Sequence, residues 1–173
     1  MARCRTYSDL RGLPHVTALP DGAVAEIGRI TVQFAILEFY LARLVHGLLE
    51  QTGDIGWIVT SELSFPKLQD LSMSLVMEVH GPAKAAEYKE VLKEVSEAEA
   101  SRNIISHSVW GVLMPKGEPL LIRSKYTAKR KKGLSRQRQE LTVEDLHTMA
   151  YNIAIAAHEV RAFGAELGIE VSY

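Results

Sequence analysis

From Ile27 onward the apolar residues return at alternating steps of three and four: Ile27, Ile30, Phe34, Leu37, Leu41, Leu44 and Leu48. That spacing keeps one stripe on one side of a helix and predicts lengthwise packing against other helices. Pro20-Asp21-Gly22 opens the element, with Asp21 as its expected cap, and Gly53 and Gly56 are expected to close it. A second helix is predicted from Ser64 or Phe65, with Pro66 in its first turn and Leu68, Leu71, Leu75 and Val79 facing inward. His80-Gly81 stops it, and Pro82 starts a third helix with a stripe of Val91, Val95, Ala98, Ile105 and Val109. Gly111, Pro115, Gly117 and Pro119 then break the period and mark turns. Residues 120–126 read as a short strand, paired with 109–114 as a hairpin. Thr142-Val-Glu-Asp145 resembles a capping box and opens a fourth helix through Leu146, Met149, Ile153, Ala157, Val160 and Phe163.

Four apolar stripes need one another. The expected fold is therefore mainly α, an antiparallel four-helix bundle of the up-and-down type, with a short β-hairpin or extended loop between the third and fourth helices. Residues 1–20 carry Gly12, Pro14 and Pro20 without a period and read as an arm. Residues 21–173 read as a single domain, for which a length of 173 residues is ordinary.

The net charge of −1 hides a strong segregation. Residues 123–138 hold eight basic side chains and no acid, and the rest of the chain holds 12 basic and 21 acidic residues, a net of −9. A positive loop on an acidic body suits contact with a phosphate backbone through Lys129, Arg130, Lys131, Lys132, Arg136 and Arg138, with Tyr126 placed to stack on a base. The alternative is a solvated loop whose charge keeps a hairpin edge from aggregating. Cys4 is the only cysteine, which leaves no intramolecular disulfide and no cysteine-based zinc site. No run of about 18 apolar residues exists to span a membrane, and no apolar segment follows the basic start as a secretory signal requires. A cytoplasmic location without membrane contact is the expectation.

Candidate chemistry concentrates in Ser101-Arg102-Asn103-Ile104-Ile105-Ser106-His107-Ser108-Val109-Trp110. On a helix, Asn103 and His107 lie about 40° apart, with Trp110 on the same face. Ser96 and Glu99 share that polar face, whereas Arg102 falls on the apolar stripe, where a guanidinium needs a partner. Glu38, between Leu37 and Leu41 of the first helix, is the expected acid.

Arg102-Asn103-x-x-x-His107, late in a helix of a small helical bundle, resembles the signature of the HEPN domain superfamily. That signature is an arginine, four to six residues, then a histidine, often with asparagine after the arginine. The resemblance implies a homodimer in which the motifs of two subunits meet, with RNA as substrate and cleavage without a metal or other cofactor. It makes His107 the acid/base, Arg102 the stabiliser of phosphate charge and Asn103 a positioning group. Independently of the resemblance, Glu38 is expected to hold Arg102 and Trp110 to stack on a base. The alternative is a non-catalytic helical bundle that binds nucleic acid or a cognate protein partner, with the triplet serving as architecture.

Other chemistries lack their motifs: no phosphate-binding glycine loop, dinucleotide fingerprint or nucleophile elbow occurs. Glu144-Asp145-Leu146-His147 has the spacing found in carboxylate-bridged iron bundles but occurs once, so no metal is expected. His158-Glu159 lacks the second histidine of the zinc-protease pattern, and His15, His46 and His80 have no evident partner in sequence.

Overall fold

A computed structural model describes residues 19–50, 53–113, 120–129 and 133–171. The order of elements is α1 (Asp21–Leu48), α2 (Asp54–Ser61), α3 (Phe65–Ser106), β1 (Val109–Leu113), β2 (Leu120–Lys129), β3 (Gly133–Leu141) and α4 (Val143–Glu166). The protein is mainly helical, with one small antiparallel sheet in the order β1-β2-β3. No helix among the described residues is long and apolar enough to cross a membrane.

The stripe of α1 is buried as its spacing predicts: Ile30, Phe34, Leu37, Leu41, Leu44 and Leu48 enter the core, and Ile27 is half-buried against it. Its ends differ from expectation. Pro20 occupies the cap position without a side-chain hydrogen bond and Asp21 is already helical. The helix stops at Leu48, Glu50 takes a positive φ of 55°, and Gly56 is buried within α2 instead of ending α1.

The stretch called α3 is two limbs, 65–80 and 82–106, divided at Gly81, whose φ of 80° and ψ of 179° suit glycine almost alone. Side-chain bonds show that the limbs lie side by side and antiparallel. Tyr88 Oη donates to Ser72 Oγ at 2.8 Å, and Gln69 Nε2 donates to Glu99 Oε2 at 2.9 Å. In a straight helix those last two residues would stand roughly 45 Å apart. The buried face of the first limb is Phe65, Leu68, Gln69, Ser72 and Val76. Leu71 and Leu75 are only half-buried and Val79 is 54% exposed, so the predicted stripe is rotated. Tyr88 explains the rotation: its ring stacks on Phe163 of α4 at 4.7 Å, and its hydroxyl, buried there, takes Ser72 as partner.

Helix α4 begins with the predicted capping box. Thr142 Oγ1 accepts from the Asp145 amide at 3.0 Å, and Asp145 Oδ2 accepts from the Thr142 amide at 2.7 Å. These bonds hold the Asp145 carboxyl below its ordinary pKa. Leu146, Ile153, Ala157, Val160 and Phe163 are buried.

Helices α1 and α4 run parallel. Glu26 meets His147 near their first turns, Oε1 to Nδ1 at 3.4 Å, and near their last turns Arg43 reaches the carbonyl of Glu170. A β-carbon on Gly47 of α1 would collide with Ile169, and one on Gly164 would collide with Val171, so two glycines admit the chain that follows α4. An up-and-down alternation would make the first and last helices antiparallel. It is not observed, because α2 lies back along α1 and the first limb begins beside Phe34, where Phe65 meets its ring.

The sheet joins the end of α3 to the start of α4. The hairpin expected between 109–114 and 120–126 is present, with Trp110 opposite Arg123 and Val112 opposite Leu121. Leu121 and Leu141 face the core. Beyond Ser124, strand β2 pairs with β3 alone, so 125–129 and 133–137 form a two-stranded ribbon.

Candidate functional site

The last turns of α3 lie against α1, where Thr31, Phe34, Ala35 and Glu38 together with Arg102 and Ser106 line a surface cavity of about 300 Å³. The Arg102 guanidinium lies over the Phe34 ring, 4.1 Å from its centroid. Phe34 is fixed in turn by Phe65, ring to ring at 4.7 Å. Such a cation–π contact contributes about 0.5–2 kcal/mol and leaves the charge on the arginine.

Arg102 Nη1 donates to Asn103 Oδ1 at 2.8 Å. Asn103 Nδ2 donates to Glu99 Oε1 at 3.3 Å, and the other oxygen of Glu99 accepts from Gln69 Nε2. Ser96 Oγ lies 2.9 Å from Gln69 Oε1. A chain of polar side chains thus runs from the packed limbs of α3 to the arginine.

Glu38 is not the partner of Arg102. Its side chain is exposed, and among the described residues no ion pair joins the two, although both border the same cavity. Glu38 sits about 100° around the helix from Leu37 and so points off the buried stripe.

His107 is exposed and occupies the cap position at the end of α3, its backbone amide donating to the Asn103 carbonyl at 3.3 Å. Among the described residues its imidazole has no hydrogen-bond partner, and it does not line the cavity of Arg102. Five helical positions separate the two by about 140° in angle. One chain therefore brings Arg102 and Asn103 together and holds His107 on a different side of the helix end.

Trp110 belongs to β1 and not to the helix, so it does not share a helix face with Asn103 and His107. Its ring is half-buried against the core, and its Nε1 donates to the Ile105 carbonyl at 3.3 Å. The helix ends at Ser106, and the following strand turns the indole inward.

The described residues of the basic segment are strand and not loop. Arg123, Lys125 and Lys129 lie on β2, and Arg136 and Arg138 lie on β3. Arg123 is withdrawn from solvent, 6% exposed, with Nε donating to Gln139 Oε1 at 2.9 Å and Nη2 to the same oxygen at 2.5 Å. Arg138 is exposed, opposite Ser124, and Lys125 is half-buried, opposite Gln137. By register Tyr126 pairs with Arg136, and Lys129 with Gly133 at the end of the ribbon. Arg130, Lys131 and Lys132 lie outside the described residues.

The charged cluster that sequence reasoning missed is at the other helices' first turns. Glu26, 8% exposed, accepts from Arg29 Nη1 at 2.8 Å and lies beside His147. Among the described residues, no group of three His, Cys, Asp or Glu stands close enough together to hold a metal ion. No family model, curated protein or solved structure matches the chain.

Proposed function

We propose that the chain is a HEPN-like endoribonuclease that works as a homodimer, with α1, the two limbs of α3 and α4 forming its helical bundle. The observation that carries this reading is the state of Arg102. It is a half-buried guanidinium held by a neutral amide and an aromatic face, bordering an open cavity, with no carboxylate among the described residues bound to it. A cation kept in that way is suited to the charge that gathers on phosphate oxygens during transesterification. His107 is exposed at the end of the same helix, and an imidazole can both take and give a proton.

In this reading neutral His107 takes the proton of a ribose 2′-hydroxyl. The 2′-oxygen then attacks phosphorus, and the P–O5′ bond breaks, leaving a 2′,3′-cyclic phosphate. The leaving 5′-oxygen takes a proton from water or from the imidazolium that His107 has become. Arg102 of one subunit and His107 of the other would share a phosphate, which resolves their divergence within one chain. The cationic ribbon would hold the flanking backbone. The non-catalytic alternative, a module that binds nucleic acid or a protein partner, is favoured by that same divergence.

The test uses a single-stranded RNA oligonucleotide in EDTA. Wild type cleaves it, while Arg102→Ala and His107→Ala do not. Mixing the two inactive variants restores activity, because one of the two shared sites in a mixed dimer is intact. Inactive wild-type protein sinks the nuclease reading; active single variants without any loss remove those residues from it. For the ribbon, Arg138→Ala with Lys125→Ala lowers the slope of log affinity against log salt by about 1.4 if both contact a single strand's phosphates. An unchanged slope assigns them to a solvated edge.

A further inference from the structure

The hydrogen bonds that run from Gln69 through Glu99 and Asn103 to Arg102 have a defined sense, and Glu99 sets it. A carboxylate only accepts hydrogen bonds, whereas an asparagine side chain has a donating end and an accepting end. With Glu99 Oε1 on one side of Asn103, the Asn103 amide nitrogen must face the carboxylate. Its carbonyl oxygen is then directed at Arg102, where it accepts from Nη1 at 2.8 Å. Glu99 is itself held by Gln69, a residue 8% exposed between the limbs of α3, through the bond to its second oxygen.

We infer that Glu99 is a positioning residue: it orients the Asn103 amide so that Arg102 is presented over Phe34 toward the cavity. This inference rests on the reading of Arg102 as the phosphate-stabilising group. The arrangement also explains why the acid does not simply neutralise the arginine. Glu99 lies one helical turn before Arg102, yet both of its oxygens are occupied by neutral amides, and no ion pair joins it to the guanidinium among the described residues. The carboxylate acts through Asn103, and the positive charge stays available to an incoming anion. Were the Asn103 amide to turn over, its NH₂ would face the guanidinium, donor against donor, and Arg102 would lose its hold.

Glu99→Gln discriminates sharply. A glutamine puts a donating NH₂ in place of one of the two oxygens, so the separate positions that Gln69 and Asn103 use cannot both be kept as acceptors. Glu99→Ala serves neither. Two readouts separate positioning from general stability. The first is NMR of the Asn103 side-chain amide and the Arg102 guanidinium in ¹⁵N-labelled protein without RNA, compared among wild type, Glu99→Gln and Glu99→Ala. The expected result is a shifted Asn103 signal and faster guanidinium rotation in Glu99→Ala, with Glu99→Gln between. The second is cleavage of a single-stranded RNA oligonucleotide, in which Glu99→Ala lowers kcat about tenfold while KM is unchanged, inside the roughly hundredfold that a displacement of about 1 Å can cost. Unchanged Asn103 and Arg102 signals in Glu99→Ala overturn the inference even if the enzyme is active. Equal kcat in wild type and Glu99→Ala overturns it as well, and leaves the nuclease reading standing. If wild type does not cleave RNA, that reading falls, and the role of Glu99 in catalysis falls with it.

Discussion

The Tyr88 hydroxyl donates to Ser72 Oγ across 2.8 Å, although the two residues stand 16 positions apart in one nominal helix. The bond exists because Gly81 reverses the chain between them. Ser72 passes its own proton to the Gln69 carbonyl at 2.8 Å, so the buried pair is satisfied on both sides.

Removing that hydroxyl isolates a buried acceptor while leaving the ring stacked on Phe163. Tyr88→Phe is expected to destabilise the fold by about 1–2 kcal/mol, measured by urea denaturation. Tyr88→Ala, which also empties the space against α4, should cost about 3–5 kcal/mol. Equal midpoints for Tyr88→Phe and wild type would show that the hydroxyl bond contributes nothing.

Two glycines make a matched pair for testing the turn. Neither Gly81 nor Gly28 has an atom within 4 Å of the place a β-carbon would occupy, so crowding plays no part at either. Gly81→Ala must adopt a backbone state almost reserved for glycine and should lose about 1–3 kcal/mol. Gly28→Ala lies within α1 and should gain about 0.5–1 kcal/mol from helix propensity. Thermal melts of the two variants moving in the same direction would contradict the turn geometry.

His46 carries a pH dependence. It is fully buried on α1, with Nε2 2.9 Å from Thr60 Oγ1 and its ring edge-on to Trp57 at 4.7 Å. Burial, and secondarily the Arg43 charge on the same helix, hold its pKa below the ordinary 6.5. The unfolded chain therefore binds this proton at a higher pH than the folded protein does. The stabilising contribution is complete above 6.5 and declines as pH falls from there toward the lowered folded value. Wild type should lose more stability than His46→Gln between about pH 7.5 and about pH 5.5, a range that brackets the ordinary histidine pKa. Parallel curves for the two proteins would rule out His46 as the source.

Much of this architecture is legible in the chain of letters because the relevant forces are local. The stripe of α1, the capping box at Thr142 and the break at Gly81 each depend on residues within a few positions of one another. What escapes is set by distant partners. A break at Gly81 announces that a helix ends, but whether the chain bends or doubles back is decided by Tyr88, Ser72, Gln69 and Glu99 meeting across it. Strand β3, Gly133–Leu141, has the composition of a loop because it is an edge strand whose residues 135 and 137–140 are exposed, while Leu141 is buried. Its order comes from backbone pairing to β2. The short helix α2 hides Gly56 and Thr60 while Ile55, Ile58 and Val59 stay exposed, the reverse of what apolar patterning suggests. At the candidate site, Asn103 and Arg102 were readable as neighbours on a helix. The partner of Arg102 was not, since a spacing argument placed Glu38 on the buried stripe and the helix carries it about 100° away.

The parallel pairing of α1 with α4 also governs how the chain acquires its shape. These two helices make the most extensive contact between any two helices, yet more than half of the sequence separates them. As ribosomal synthesis proceeds, α1 emerges early with a long greasy flank and must wait for α4 before that flank is fully covered. The limbs of α3 cover only part of that flank, so a nascent chain stalled before Val143 should be a client for chaperones.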